Sequence, residues 1–365
     1  MIIVFSLFIV VFSLLFIFMP KRDFSEQENR YLSSIPEFTL KSLFSGDFTQ
    51  DFEKYLSDQF PFRDKWITFK AASELAAGKT QNNGIYYCGD DTLIEGFASP
   101  DDELLNTNIN AVNELVESVD CEVYFQLVPT SSEIWRSKLP SYAQSTDQNQ
   151  LIDYCYANAH AVSVDVASIL AENADEYIYY RTDHHWTTLG AYYGYRALAD
   201  VMGFSPAPLE SFTRITVSDS FYGTTYSSSG FSWVKPDIIE TFVPESDAVS
   251  VTNYPHGSPE SGHMYDVNFL EKKDKYSMFY GGNTPLLKIE TGTPDKDSLL
   301  VIRDSYADCF TPFLYGEFST IYQMDLRYYK TSLRDFISDN DIDSILLCYS
   351  TKSFMTDTSL FLLGQ

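Results

Sequence analysis

The chain has 365 residues, 44% of them apolar and 16% aromatic, which is enough hydrophobic surface for a sizeable core and excludes a disordered polymer. Its 51 acidic and 25 basic side chains leave a formal net charge of -26 with no basic stripe. That balance argues against a nucleic-acid partner and against docking on anionic lipid through charge, while it suits a neutral or polyol-like ligand as well as any other.

Residues 1–19 carry no charge and are rich in Ile, Val, Leu and Phe, and Pro20-Lys21-Arg22 ends the run. Such a stretch predicts a membrane-spanning helix over residues 1–20, kept as an anchor because no small-residue cleavage site follows it. The positive-inside rule alone would keep the body cytoplasmic. Residues 21–80 read as a helical arm, with Phe48, Phe52, Tyr55 and Leu56 at helical spacing, Pro61 breaking the pattern, and a second helix over 66–77. The five cysteines, Cys88, Cys121, Cys155, Cys309 and Cys348, form no C-x-x-C pair, so neither a zinc ribbon nor a disulfide framework is expected, and Cys121 and Cys348 read as small core residues.

Residues 81–365 alternate. A hairpin at 85–87 and 92–95 precedes helices over 102–119, 149–159 and 188–202, with strands at 123–128, 162–166 and 177–180. Later come strands at 299–302, 320–324 and 344–348, with helices over 306–314 and 332–337. Short apolar strands separated by helices predict an α/β domain whose mainly parallel sheet is covered on both faces. In such sheets functional groups gather at the carboxyl ends of the strands. Residues 203–296 break the rhythm and read as an irregular insertion.

Two stretches carry chemistry. Asp183-His184-His185-Trp186 places a carboxylate, two imidazoles and an indole just before the 188–202 helix. Taken alone, this suits a helix entrance as well as a site. The strand ending at Arg303-Asp304-Ser305-Tyr306 puts a hydroxyl at a strand's carboxyl end beside a predicted helix N-terminus, where free N–H groups and the dipole favour an oxyanion. Its alternative is an ordinary helix cap. A nucleophilic serine needs a base, and the base needs an orienting carboxylate. Asp183 and His185, two residues apart, can project to one side and supply both for Ser305. His184 then points elsewhere, and Trp186 packs beneath the loop or walls the pocket, with packing the simpler reading. Arg327, following the 320–324 strand, is a second oxyanion donor, a holder of a substrate carboxylate, or a structural partner of Asp325. Tyr226, Trp233, Tyr328 and Tyr329 are platforms for sugar rings or simply core. No metal and no cofactor is expected: His160, His256 and His263 stand in no ligand spacing that would complete an Asp183-His184-His185 metal set.

Asp-His-His-Trp followed by Asp304-Ser305-Tyr306 resembles the DHHW protein family, which is itself similar to the alginate O-acetyltransferase (AlgJ/AlgX-like) group of SGNH hydrolase-like enzymes. Glu28-Asn29-Arg30, the Asp58 to Asp64 segment and Gly223-Thr224-Thr225-Tyr226-Ser227 extend the likeness over most of the chain. The resemblance implies a three-layer α/β/α fold with circularly permuted motif order and an Asp183, His185, Ser305 triad. It further implies an extracytoplasmic body at the cell membrane that moves an acyl, specifically acetyl, group through acyl-Ser305 to hydroxyls of a cell-envelope or secreted polysaccharide. A membrane-bound O-acyltransferase is the implied donor partner. The alternatives are a carbohydrate O-acetylesterase and a non-catalytic, anchored protein that binds glycan or a partner. One departure stands out. Arg303 occupies the place of the glycine that precedes Asp-Ser in the acetyltransferases, which bears on the shape of the elbow.

Overall fold

The computed structural model describes residues 1–244 and 249–364. Its main sheet is built from β1 (Glu122–Val128), β2 (Val162–Val164), β3 (Ser250–Asn253), β4 (Glu260–Ser261), β5 (Leu286–Glu290), β6 (Ser298–Arg303), β7 (Thr320–Met324) and β8 (Ser344–Ser350). In space they run β4-β3-β5-β7-β6-β8-β1-β2. The five strands from β7 to β2 are parallel, and β5, β3 and β4 continue the sheet antiparallel.

Side chains alternate strictly across this sheet, as a period of two requires. On β6, Leu299 and Val301 pack into one apolar cluster, while Leu300 and Ile302 pack into another on the opposite face. Helix Asp102–Ser118 covers the second face with Leu105, Ile109, Val112 and Leu115. Helix Thr188–Met202 covers the first with Ala191, Tyr195 and Leu198. Burial on both faces explains why the parallel strands read as unbroken apolar runs.

The sheet is therefore mixed rather than mainly parallel, because residues 203–296 are not irregular. They contain an antiparallel hairpin, Phe212–Phe221 with Asp237–Pro244, and the strands β3, β4 and β5. The hairpin's first strand is mostly solvent-facing and the edge strands are only two to five residues long, so neither leaves a readable hydrophobic period. Two other expectations are corrected. The 177–180 segment is buried but makes only an isolated bridge, Tyr179 with Trp186. The 306–314 helix is instead two short 3-10 turns, Ser305–Ala307 and Thr311–Leu314, the second carrying Pro312.

The N-terminal apolar run forms the helix Ile2–Phe18, seventeen residues with none buried. Among the described residues no helix is long and apolar enough to cross a membrane. Seventeen residues rise about 25 Å, against a hydrocarbon core of about 30 Å that the expected anchor over residues 1–20 would have to cross. Phe12 and Phe16 of this helix meet Phe60, Trp66 and Tyr55.

Helices Leu40–Ser45, Asp47–Asp58 and Arg63–Ala76 follow. The extended chain before them is tied down by charge. Arg30 forks onto both oxygens of the buried Asp58 at 2.5 and 3.0 Å, the Ser33 N–H donates to Asp58, and Arg63 pairs with Glu28. Hydrogen bonding from Arg30 outweighs burial and holds the Asp58 carboxyl well below the usual range. The arm meets the body through Ala71, which shares a small core with Ile85, Leu93, Phe231 and Val234, and through a 2.8 Å hydroxyl contact between Thr68 and Ser232.

Candidate active site

The loop bearing Asp183 and His185 has no regular structure, so its shape must come from buried partners. Asp237, fully buried at the start of the hairpin's second strand, supplies them. Its carboxylate accepts from the Tyr177 hydroxyl (2.5 Å), the Arg181 N–H (3.1 Å), and both the N–H and hydroxyl of Thr182 (2.7 and 2.6 Å). Trp186 is buried beneath the loop and donates its indole N–H to the Tyr306 carbonyl at 2.9 Å, tying this loop to the β6 corner.

On that scaffold three side chains meet in series. Asp183 Oδ1 lies 2.6 Å from His185 Nδ1, and His185 Nε2 lies 2.7 Å from Ser305 Oγ. Asp183 and His185 are buried and Ser305 is half-buried. Asp183 also accepts from the His185 backbone N–H at 3.0 Å, and its other oxygen accepts from the N–H and hydroxyl of Thr224 at 2.8 and 3.0 Å. Burial works against its charge, but the neighbouring imidazoles and these donors prevail and hold Asp183 well below the usual carboxylate range. An ionised Asp183 fixes the proton of His185 on Nδ1, leaving Nε2 as an acceptor for the serine hydroxyl. The Tyr276 ring stacks on His185 at 3.9 Å, and its hydroxyl donates to the Ser305 carbonyl at 3.0 Å.

Thr224 reaches Asp183 only because Gly223 precedes it. A β-carbon at position 223 would overlap the Asp183 side chain. The Gly-Thr-Thr motif is therefore part of the carboxylate's clamp.

The corner after β6 is shaped by Asp304. One of its oxygens accepts from the Tyr306 N–H at 3.0 Å, and the other accepts from the Ser350 N–H and hydroxyl at 3.0 and 2.7 Å, joining the ends of β6 and β8. Asp304 thus caps the turn while Ser305 faces His185; the two readings of this stretch are divided between adjacent residues. The 3-10 turn of three residues removes the helix dipole from the picture, since no α-helix begins here. What stands in its place is the Ser305 backbone N–H, which has no hydrogen-bond acceptor among the described residues.

Arg303 does not distort this corner. It ends β6 in extended backbone, outside the residues with positive φ, so no glycine is required. Its side chain is 1% exposed, with Nη1 3.2 Å from both Asn283 Oδ1 and Asp308 Oδ1. Burial pushes the Asp308 carboxyl up to about 7 in spite of that guanidinium.

The remaining predicted residues lie elsewhere. Arg327 forks onto both oxygens of the fully buried Asp325 at 2.9 and 2.6 Å, as the structural pair. Trp233 packs on Tyr87 and Phe231, Tyr226 on Tyr222, and Tyr328 and Tyr329 line a separate hollow with Tyr254 and His256. His184 turns away from the serine and donates from Nδ1 to Thr224 Oγ1 at 2.6 Å, because the Thr224 proton is held by Asp183. Ligand atoms of Asp183, His184 and His185 come within 4.8 Å of one another, but the Asp183 oxygens and both Nδ1 atoms are engaged in the hydrogen bonds just described.

A family model described as DHHW protein matches residues 75–324, more than half of the chain and a span containing both Asp183 and Ser305 when read with the corner that it reaches. The chain belongs to the DHHW family. A solved DHHW family protein from Eubacterium siraeum is 26% identical, with a TM-score of 0.65 over 77% of this chain and 95% of that one. Bacillus cereus PatB1, solved with a sulfonyl adduct, is 22% identical with a TM-score of 0.65, covering 77% of this chain and 98% of its own, and shares the fold. The O-acetyltransferase domain of Pseudomonas putida AlgJ is 14% identical with a TM-score of 0.49, over 75% of this chain and 93% of that domain, a likeness too loose to bear on function. Among curated proteins no relative is found.

Of the DHHW motif in this chain, the histidine that faces the serine is the second, and the tryptophan is the wedge that holds the loop to the β6 corner. Sequence reasoning missed Asp237 and Tyr276, which sit in the stretch with no readable period. Thr224 had a signal, the Gly-Thr-Thr motif, but nothing in the sequence shows that it contacts Asp183.

Proposed function

We propose that this DHHW protein is a serine-dependent acyltransferase that forms an acyl-Ser305 intermediate and passes an acetyl group to a hydroxyl of a cell-envelope or secreted polysaccharide. The observation that carries the reading is the unbroken series Asp183 Oδ1, His185 Nδ1, His185 Nε2, Ser305 Oγ, with contacts of 2.6 and 2.7 Å. Ser305 Oγ bonds to the acyl carbonyl carbon as its proton passes to His185 Nε2, and Asp183 stabilises the imidazolium that results. The carbonyl oxygen takes the negative charge and faces the free Ser305 N–H. Collapse breaks the bond to the donor's leaving group, which takes the proton from His185. An acceptor hydroxyl then gives its proton to His185, bonds to the acyl carbon and releases Ser305 as the proton returns to Oγ.

An acceptor outside the cytoplasm puts the site of action there, and a membrane-bound O-acyltransferase is the partner we assign as acyl source. The same triad with water as acceptor would make the protein an esterase. Incubation with an acetyl ester reporter, with and without an oligosaccharide, tests the reading. Acetyl on the oligosaccharide is the expected result, acetate alone reassigns the protein to the esterases, and a reporter untouched by the folded protein overturns both.

A further inference from the structure

A cavity of about 300 Å³ opens beside the residues that support the triad, with His184, Thr224, Tyr306 and Ser350 in its wall. Each of these touches the triad's supports: His184 and Thr224 at Asp183, Ser350 at Asp304, and Tyr306 through its hydroxyl bond to the His184 carbonyl. Nine of the fifteen lining residues bear hydroxyls; those of Thr224, Tyr306, Ser350 and Thr356 donate to Asp183, the His184 carbonyl, Asp304 and the Lys352 carbonyl, so towards the cavity they offer the acceptor lone pairs that the hydroxyls of a sugar ring can use. Another of the nine, the Thr225 hydroxyl, is 3% exposed and has no hydrogen-bond partner among the described residues.

Charge at the cavity is cancelled. Its only acid and its only strong base, Glu95 and Lys352, pair with each other at 2.6 Å. A carboxylate entering there would have to draw Lys352 from Glu95 and then sit beside that glutamate, within a chain of net charge -26. His184 adds a neutral acceptor. Burial and the charge of His185 push its imidazolium down, and with the proton on Nδ1 its Nε2 is left as a lone pair.

We infer that this cavity is the acceptor subsite and that it selects an uncharged, hydroxyl-rich sugar residue over a carboxylate-bearing one, with the Glu95–Lys352 pair as the determinant. The word acceptor rests on the acyltransfer reading above; the binding preference does not.

The test is calorimetric titration of the full chain carrying Ser305→Ala with a neutral hexaose and with a hexauronate of equal length. The neutral sugar should bind at least about tenfold more tightly, since like-charge contact is what the site imposes on the uronate. Adding Glu95→Gln, which frees the Lys352 charge, should erase that ratio or invert it, and Ser228→Trp, which fills the cavity from its exposed rim, should abolish neutral binding. A uronate bound equally well or better, or a ratio unmoved by Glu95→Gln, overturns the inference, as does neutral binding that survives Ser228→Trp. Acylation of Ser305 by a small ester is measured separately on the unaltered chain, so a failed triad and a failed subsite give different results.

Discussion

Arg303 is buried at the end of β6, directly before the Asp304-Ser305 corner, and Arg303→Met tests what the arginine does. The guanidinium lies 3.2 Å from a carboxylate oxygen of Asp308, both side chains are at most 3% exposed, and the Asp308 carboxyl sits at about 7. A carboxyl with a raised folded pKa contributes stability that is whole below its unfolded value near 3.9 and is lost as pH rises through the folded value. In the natural chain that loss stops near pH 7, where Asp308 ionises against Arg303. In Arg303→Met the counter-charge is gone, Asp308 stays protonated to higher pH, and the loss continues. The added penalty therefore grows above pH 7 by up to about 1.4 kcal/mol per pH unit until Asp308 ionises in the variant. Urea unfolding of both proteins between pH 6 and 9 measures it. Asp308→Asn in the Arg303→Met background should flatten the pH dependence. A stability difference that stays constant across this range would refute the reasoning.

Other outcomes follow from single contacts. Gly223→Ala forces the Asp183 side chain aside, so ester turnover should fall about 100-fold with circular dichroism unchanged, in line with the effect of displacing a reacting constellation by about 1 Å. Asp237→Ala strips the partner from four donors of the 177–182 loop and should lower stability by about 2–4 kcal/mol in urea unfolding. Asp58, held below the usual carboxylate range by Arg30, gives stability that is present above its unfolded pKa and disappears only in acid. Limited proteolysis of the chain before residue 46 should be unchanged from pH 7 to about pH 5 and accelerate below about pH 4; a transition near neutrality would place the control of this arm elsewhere.

The parallel half of the sheet was legible because both of its faces are apolar and its helices are amphipathic or well capped: helix Thr188–Met202 and strand Thr320–Met324 fall where the pattern puts them. The antiparallel half was not, because its strands are short edge segments or exposed, and periodicity has nothing to act on. At the site, residue spacing and chemical need brought Asp183, His185 and Ser305 together. The surrounding support was out of reach: Asp237, Thr224 and Tyr276 act through contacts 41 to 91 residues distant along the chain, which local patterns do not encode. The 306–314 helix failed for a local reason. Its apolar residues are buried all round, which imitates a helix, yet Pro312 and the Asp304 cap divide the segment into two tight turns.

The central claim is that Ser305 is an activated nucleophile, and labelling with a fluorophosphonate probe addresses it directly. Mass spectrometry of the digested protein should find one phosphonylated serine, Ser305, with labelling abolished in Ser305→Ala and strongly slowed in His185→Ala. A folded protein that the probe leaves unmodified, or modifies at another residue while Ser305 stays free, would contradict it.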